Sequence, residues 1–223
     1  MYNAIAIDGP AGAGKSTIAK QLAKDLGWVY IDTGAMYRTV AFYCLENDID
    51  LTIKSDVEKA LHRISIEISY QNQEQRIFLN KVDVTATIRT VEVAKGASTV
   101  AAYSYVRHQL VNMQRELSKT QNVIMDGRDI GTVVLPQAKL KIFLTASAME
   151  RAKRRFEEQQ SKGINQSLEE VLVEIQDRDK KDCERENSPL KKSDDAIEID
   201  TTNKEIADII ENIKNLLTSK VAL

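Results

Sequence analysis

Cysteine, histidine and proline are all scarce in this chain of 223 residues. Cys44 and Cys183 are too few for a disulfide framework or a zinc site, and neither has a histidine at a spacing that would make a nucleophile pair. His62 and His108 belong to no metal-ligand pattern. A reducing, cytoplasmic setting is therefore expected. The formal charge is only −2, so there is no overall basic field to argue for nucleic acid or an anionic membrane surface as the main partner. No apolar run is long enough to cross a bilayer, and Met1 leads straight into Ala4–Ile7 without the features of a secretion signal. Any charge that binds anions must be local.

What is present is an alternation of short apolar runs with amphipathic stretches. Ala4–Ile7 precedes a helix from Lys15, and Trp28–Ile31 precedes a helix through Met36–Leu45; Val123–Met125, Lys141–Leu144 and Ala196–Ile199 follow later. This is the βα rhythm of a parallel sheet. Between Arg63 and Val84 the period falls to two, through Ile64, Ile66, Ile68, then Ile77, Leu79, then Val82, Val84, with polar Gln71–Gln75 between the first two runs. A small antiparallel sheet inserted into the α/β core is expected there, followed by helices over 91–101 and 105–119. Capping boxes are expected at Ser55/Glu58, Ser147/Glu150, Ser167/Glu170 and Thr202/Glu205.

The strongest motif is Gly9-Pro10-Ala11-Gly12-Ala13-Gly14-Lys15-Ser16, which follows an apolar strand and opens a helix. Glycines let backbone N–H groups converge on a polyphosphate, the helix N-terminus adds positive potential, Lys15 can reach the outer phosphates and Ser16 can ligate magnesium. A glycine-rich turn that merely joined strand to helix would leave Lys15 and Ser16 unexplained.

Arginines recur near strand ends, where open α/β sheets bind ligands. Arg38 follows Asp32-Thr33-Gly34, and Arg128 stands in Asp126-Gly-Arg-Asp129-Ile-Gly131, whose carboxylates also suit the second shell of a magnesium ion. Arg151, Arg154 and Arg155 fall at helical spacing ahead of a break at Lys162-Gly163. Spacing alone leaves a mobile lid and an ordinary face paired with Glu150, Glu157 and Glu158 equally open. Arg178, Asp182 and Arg185 form a stripe on another expected helix, where a surface Arg178–Asp182 pair is the plain alternative. Asn80-Lys81-Val82-Asp83 has the form of a guanine-reading motif, but it falls where a hairpin turn is expected and no Asp-x-x-Gly accompanies it. Cys44, Met36 and Met125 read as packing residues.

With these residues laid out, the chain resembles the bacterial cytidylate kinase family of phosphate-loop nucleoside monophosphate kinases over essentially its whole length. The resemblance is carried by Ile7–Thr17, Asp32–Arg38, Ile88-Arg-Thr90, Ser98 with Val100-Ala-Ala102 after it, Asp126–Val134 and the segment Arg178–Arg185. It implies a three-layer parallel sheet of the P-loop NTPase type, with core 1–60 and 94–223, an inserted monophosphate-binding subdomain at 61–93 and a lid near 151–166. ATP with Mg²⁺ is the implied donor, bound by residues 9–17 including Thr17, and CMP or dCMP the acceptor. Ser98, Arg107 and Asp129 would read the cytosine edge. Arg38, Arg128 and Arg185 would hold the monophosphate, Arg178 and Asp182 the sugar, and Thr33 and Tyr37 would line the pocket. Lys15, Arg38, Arg128, Arg185 and lid Arg155 would neutralise the transferring group. A monomer is the expected state. The competing readings are a kinase of another small acceptor, such as UMP, AMP or shikimate, and a GTPase-like switch using Asn80–Asp83.

Overall fold

A computed structural model describes residues 2–71, 74–161 and 163–221. Five strands, β1 (Ala4–Asp8), β2 (Val29–Asp32), β6 (Val123–Gly127), β7 (Leu140–Thr145) and β8 (Ile197–Asp200), form a parallel sheet in the order β2-β6-β1-β7-β8. The mostly apolar runs of β1, β6 and β7 fit burial on both faces, whereas edge strand β8 alternates Ile197 and Ile199 with Glu198 and Asp200. Ile5 and Ile7 of β1 face one core with Ile18 and Leu22 of helix α1 (Lys15–Leu26) and Ile209 and Ile213 of α8 (Ile206–Val221). Ala6 turns to the other core with Ile31, Met125 and Val111, the last from α5 (Ser104–Ser118). The result is three layers with every strand's carboxyl end on one edge, and β1, where connections diverge to either side, at the switch point.

The period-two segment folds as β3 (Ile66–Gln71), β4 (Glu74–Leu79) and β5 (Val82–Asp83), an antiparallel sheet of three strands. Part of the expected polar turn, residues 72 and 73, lies outside the described residues, as does Lys162 of the expected break. Asn80 and Lys81 have φ of 49° and 71°, the paired left-handed conformation of a tight hairpin. The Asn80 side chain accepts from Ser65 N–H at 2.8 Å and donates to the Arg63 carbonyl at 3.2 Å, so Asn80-Lys81 is a structural turn that leads into β5. Ile66, Ile77 and Leu79 share one core with α2 (Thr33–Glu46), α3 (Lys54–Leu61), α4 (Val91–Val100) and α5, including Cys44, Val57, Ala97 and Leu110. Gly96 lets α4 approach α2 closely, since a Cβ there would stand 2.7 Å from a Leu51 methyl and 3.1 Å from Ala41.

Ser167 forms the expected capping box with Glu170 at the start of α7 (Leu168–Glu184), and Ser147 caps Glu150 N–H at the start of α6 (Ala148–Ser161). Two of the expected boxes do not form. Helix α3 already begins at Lys54, which puts Ser55 inside its first turn. The Thr202 hydroxyl instead accepts from Ser147 N–H, serving α6 while α8 starts later at Ile206. Arg185 also departs from expectation. It lies just past the end of α7 in extended backbone, because the chain turns back through Ser188 to bond Leu190 N–H to the Asp182 carbonyl.

Candidate active site

Glycine is required by contact and by conformation in the first loop. A Cβ at Gly9 would lie 2.0 Å from the Leu144 carbonyl oxygen, and Gly12 and Gly14 have φ of 77° and 84°. Gly14 caps α1 without a side chain, which leaves the helix's first N–H groups available to an anion. Pro10, Ala11 and Ala13 complete the curve, and Lys15 Nζ lies across it, donating to the Pro10 carbonyl at 2.6 Å. Burial and then the charge of Arg128 pull the Lys15 pKa well below the usual lysine range. Ser16 donates to Asp126 Oδ2 at 2.8 Å, while Thr17 is exposed on the next position of the helix.

The carboxyl ends of β2 and β6 face this loop. Asp126 also accepts from the Tyr30 hydroxyl at 2.9 Å, and Thr33 donates to the Asp126 carbonyl at 2.7 Å. Burial and then Asp32 push the Asp126 pKa up. Asp32 caps α2 through Ala35 N–H at 2.9 Å and pairs with Arg38 at 2.7 Å. Burial opposes its charge, but Arg38 and Arg89 outweigh that and lower its pKa.

The two acids of the Asp126–Asp129 segment serve different halves of the site. Asp126 faces the loop, whereas Asp129 is buried against Arg107 and lies 3.7 Å from Arg185. The Arg107 guanidinium stands 5.7 Å above the Tyr37 ring and also reaches the Ala101 carbonyl, three residues past half-buried Ser98. Arg128 donates to Asp182 at 2.8 Å, so the stripe on α7 does not form the plain Arg178–Asp182 surface pair. Burial opposes the Arg128 charge, but Asp182 outweighs it and raises the pKa. For Arg178, burial and then repulsion from Arg128 outweigh the attraction of Asp182 and lower the pKa to about 10. Among the described residues, buried guanidinium nitrogens of Arg38, Arg178 and Arg185 have no hydrogen-bond partner.

The α6 arginines do not share one face. Arg151 turns inward to Ala146, Ala11 and Asp179, Arg154 holds both oxygens of Thr201 at 3.0 and 2.8 Å, and Arg155 pairs with Glu158 at 3.0 Å. Sequence reasoning missed three contributors. Asp8 accepts from Ile130 and Gly131 N–H, both at 2.7 Å, and Gln75 bonds the Asp32 backbone at 2.7 Å. Tyr30 is the third, and Arg151, expected with Arg154 and Arg155 on a lid or a solvated face, differs only in its inward contacts. Only Asp8 carried a signal, a lone acid at the end of an apolar strand.

A phosphate-binding loop at the sheet's switch point, faced by acids and crowded arginines, defines a P-loop kinase of small molecules. Solved structures share that fold: an uncharacterised protein from Eubacterium ventriosum (TM-score 0.55, 12% identity, 97% of this chain and 99% of that one) and a gluconokinase from Sinorhizobium meliloti (0.51, 12%, 97% and 92%). Shikimate kinase from Acinetobacter baumannii is similar in fold as well, with TM-score 0.50 and 18% identity over 98% of this chain and 94% of that one. The family model for cytidylate kinase matches residues 5–219, and cytidylate kinases of Bacillus cereus strain B4264 and Bacillus thuringiensis strain Al Hakam are each 48% identical over 98% of this chain and 97% of theirs. The chain belongs to the cytidylate kinase family, and is thus a nucleoside monophosphate kinase of pyrimidine nucleotide metabolism.

Proposed function

We propose that the chain transfers the γ-phosphoryl group of ATP to the α-phosphate oxygen of CMP or dCMP, giving ADP and CDP or dCDP. The observation that carries this is the set of buried guanidinium N–H groups on Arg38, Arg178 and Arg185 that make no hydrogen bond among the described residues, with Arg178 close to Lys15, Arg128 and Arg38, and Arg185 sharing Asp182 with Arg128. Buried donors without partners cost free energy that an oxyanion between them would recover. Arg38, Arg128 and Arg185 hold the acceptor phosphate in this reading, Arg178 and Asp182 the sugar, and Thr33 and Tyr37 the pocket wall. Residues 9–17 hold the triphosphate, with Lys15 and lid Arg155 adding charge at the transferring group.

Asp129 already accepts from Arg107, which fixes its carboxylate with lone pairs left for the exocyclic amine of cytosine. Uracil presents a carbonyl there, acceptor against acceptor, and is rejected. Ser98 and Arg107 complete the base contacts. No general base is needed, because the acceptor phosphate is already anionic, and catalysis consists of alignment and charge neutralisation.

Magnesium fits the oxygens at the loop. The Ser16 hydroxyl and the Asp126 carboxylate lie 2.8 Å apart, and among the described residues no three acids, histidines or cysteines converge as an all-protein cage. Such a pair suits an ion held by few protein oxygens and the substrate's phosphates. Ser16 would ligate it, Asp126 would orient that ligand, and the ion would supply neutralisation of the β and γ oxygens. We assign 61–93 to a monophosphate-binding insert, 1–60 with 94–223 to the core and 151–166 to the lid, and a cytoplasmic monomer to the whole. None of the described helices is long and apolar enough to cross a membrane.

The test is ADP release from magnesium–ATP with CMP, dCMP, UMP, AMP, GMP, shikimate or no acceptor. Turnover with CMP and dCMP far above the rest is expected. Equal turnover without acceptor would overturn the assignment.

A further inference from the structure

We infer that Arg151 is a positioning residue of the phosphate loop: it sets the Ala11–Gly12 peptide with its N–H turned toward the phosphates, and Asp179 holds Arg151 in place. The inference rests on the reading that residues 9–17 bind the phosphates of ATP.

All three nitrogens of the Arg151 guanidinium are engaged, each by a different element. Nε donates to the Ala146 carbonyl at 2.9 Å, Nη1 to the Ala11 carbonyl at 3.1 Å, and Nη2 pairs with Asp179 Oδ2 at 2.7 Å. The side chain is buried, so this fork is held fixed. In a planar trans peptide, C=O and N–H point in opposite directions. No described peptide is cis. With the Ala11 carbonyl drawn out to Arg151, the Gly12 N–H must therefore point away from α6.

The restraint matters because Gly12 does not supply it. Its φ of 77° needs glycine, and glycine takes either sign of φ with little penalty. The freedom that admits the N–H to the loop also lets the peptide rotate and present a carbonyl oxygen to the phosphates. Arg151 selects one orientation. Its own backbone closes the remaining space, since a Cβ at Gly12 would meet Arg151 Cβ at 3.0 Å and its carbonyl oxygen at 3.2 Å. Asp179 is adjacent in sequence to Arg178 and one helical turn before Asp182, so the donor loop is tied to the helix that carries the sugar contacts proposed above.

The test compares Arg151→Lys and Asp179→Asn with the parent. It measures binding of ADP without magnesium and of CMP by calorimetry, and the Gly12 amide in ¹⁵N spectra during the ADP titration. Lys keeps the charge but cannot make the fork. ADP binding should weaken about tenfold in Arg151→Lys and about threefold in Asp179→Asn, with CMP binding within about twofold of the parent. The Gly12 amide should shift on ADP addition in the parent and shift less in both variants. Unchanged ADP binding in both variants, or equal loss of ADP and CMP, would overturn the inference. A fall in kcat with parental ADP binding would instead make Arg151 a lid arginine. A parent that binds no ADP would sink the nucleotide reading of the loop itself, and the inference with it.

Discussion

Arg107 and Asp129 form a buried ion pair that also sets the acceptor pocket, for the Arg107 guanidinium lies over the Tyr37 ring at 5.7 Å while Asp129 sits beside Arg185. Removing one partner from such a pair strands the other charge and costs about 3–5 kcal/mol. Asp129→Ala is therefore expected to lower both stability and kcat/KM for CMP. The double variant Arg107→Met, Asp129→Leu should recover most of the stability and none of the activity. Urea unfolding alongside steady-state kinetics separates the two, and recovery of activity would refute a role for the pair in recognition.

Gln75 links the small sheet to the acceptor side of the core. Its side-chain oxygen accepts from Asp32 N–H at 2.7 Å and its amide reaches the Asp32 carbonyl at 3.4 Å, a pairing like that of a neighbouring strand along the free edge of β2. Asp32 in turn holds Arg38. Gln75→Met keeps the length and removes both bonds, so KM for CMP should rise about three- to tenfold while KM for ATP stays near the parent value. Equal changes in both constants would show a general loss of packing.

Much of this arrangement was legible in the chain, for reasons particular residues show. Strands β1 and β6 are apolar up to Asp8 and Asp126 at their carboxyl ends, and β7 apart from Lys141, because both faces are covered, and Gly9-to-Ser16 announces itself because glycines are needed where the backbone approaches Leu144 and turns left-handed. Arg151 was not legible as an inward residue. Helical spacing records which side chains share a stripe, not which of them meets a neighbour from elsewhere in the fold, and its partners Ala11 and Asp179 are distant in sequence. Gln75 was silent for the same reason. Thr202 misled because a hydroxyl three residues before a glutamate can serve another helix, as it does here for Ser147.

Asp8 should make stability depend on pH in an unusual direction. Burial first, and Asp129 in addition, raise its pKa from 3.8 to about 6, against the lowering effect of Gly131 and Ile130 N–H. Below the unfolded value both states carry the proton. Between pH 3.8 and about 6 the folded chain holds more protons than the unfolded one, so this group's contribution is lost as pH rises and is constant above that range. The loss is on the order of 3 kcal/mol. Relative to the parent, Asp8→Asn should gain stability steadily from pH 4 to pH 6, roughly the range this linkage sets. Parallel unfolding curves across that range would refute it.

The Ser16–Asp126–Tyr30 chain yields the last prediction. Tyr30 donates to one oxygen of Asp126 and Ser16 to the other, at 2.9 and 2.8 Å, so the carboxylate is held from both sides with its plane set. Groups that orient a metal ligand cost about ten- to a hundredfold in metal affinity when removed. Asp126→Asn should therefore raise the magnesium concentration for half-maximal rate by about tenfold or more, and Tyr30→Phe should shift it in the same direction by less. Binding of ADP without magnesium should stay near the parent value in both, because neither residue touches the loop's backbone N–H groups. If magnesium-free ADP binding fell as far as the magnesium-dependent rate, these residues would be supporting the loop and not the ion.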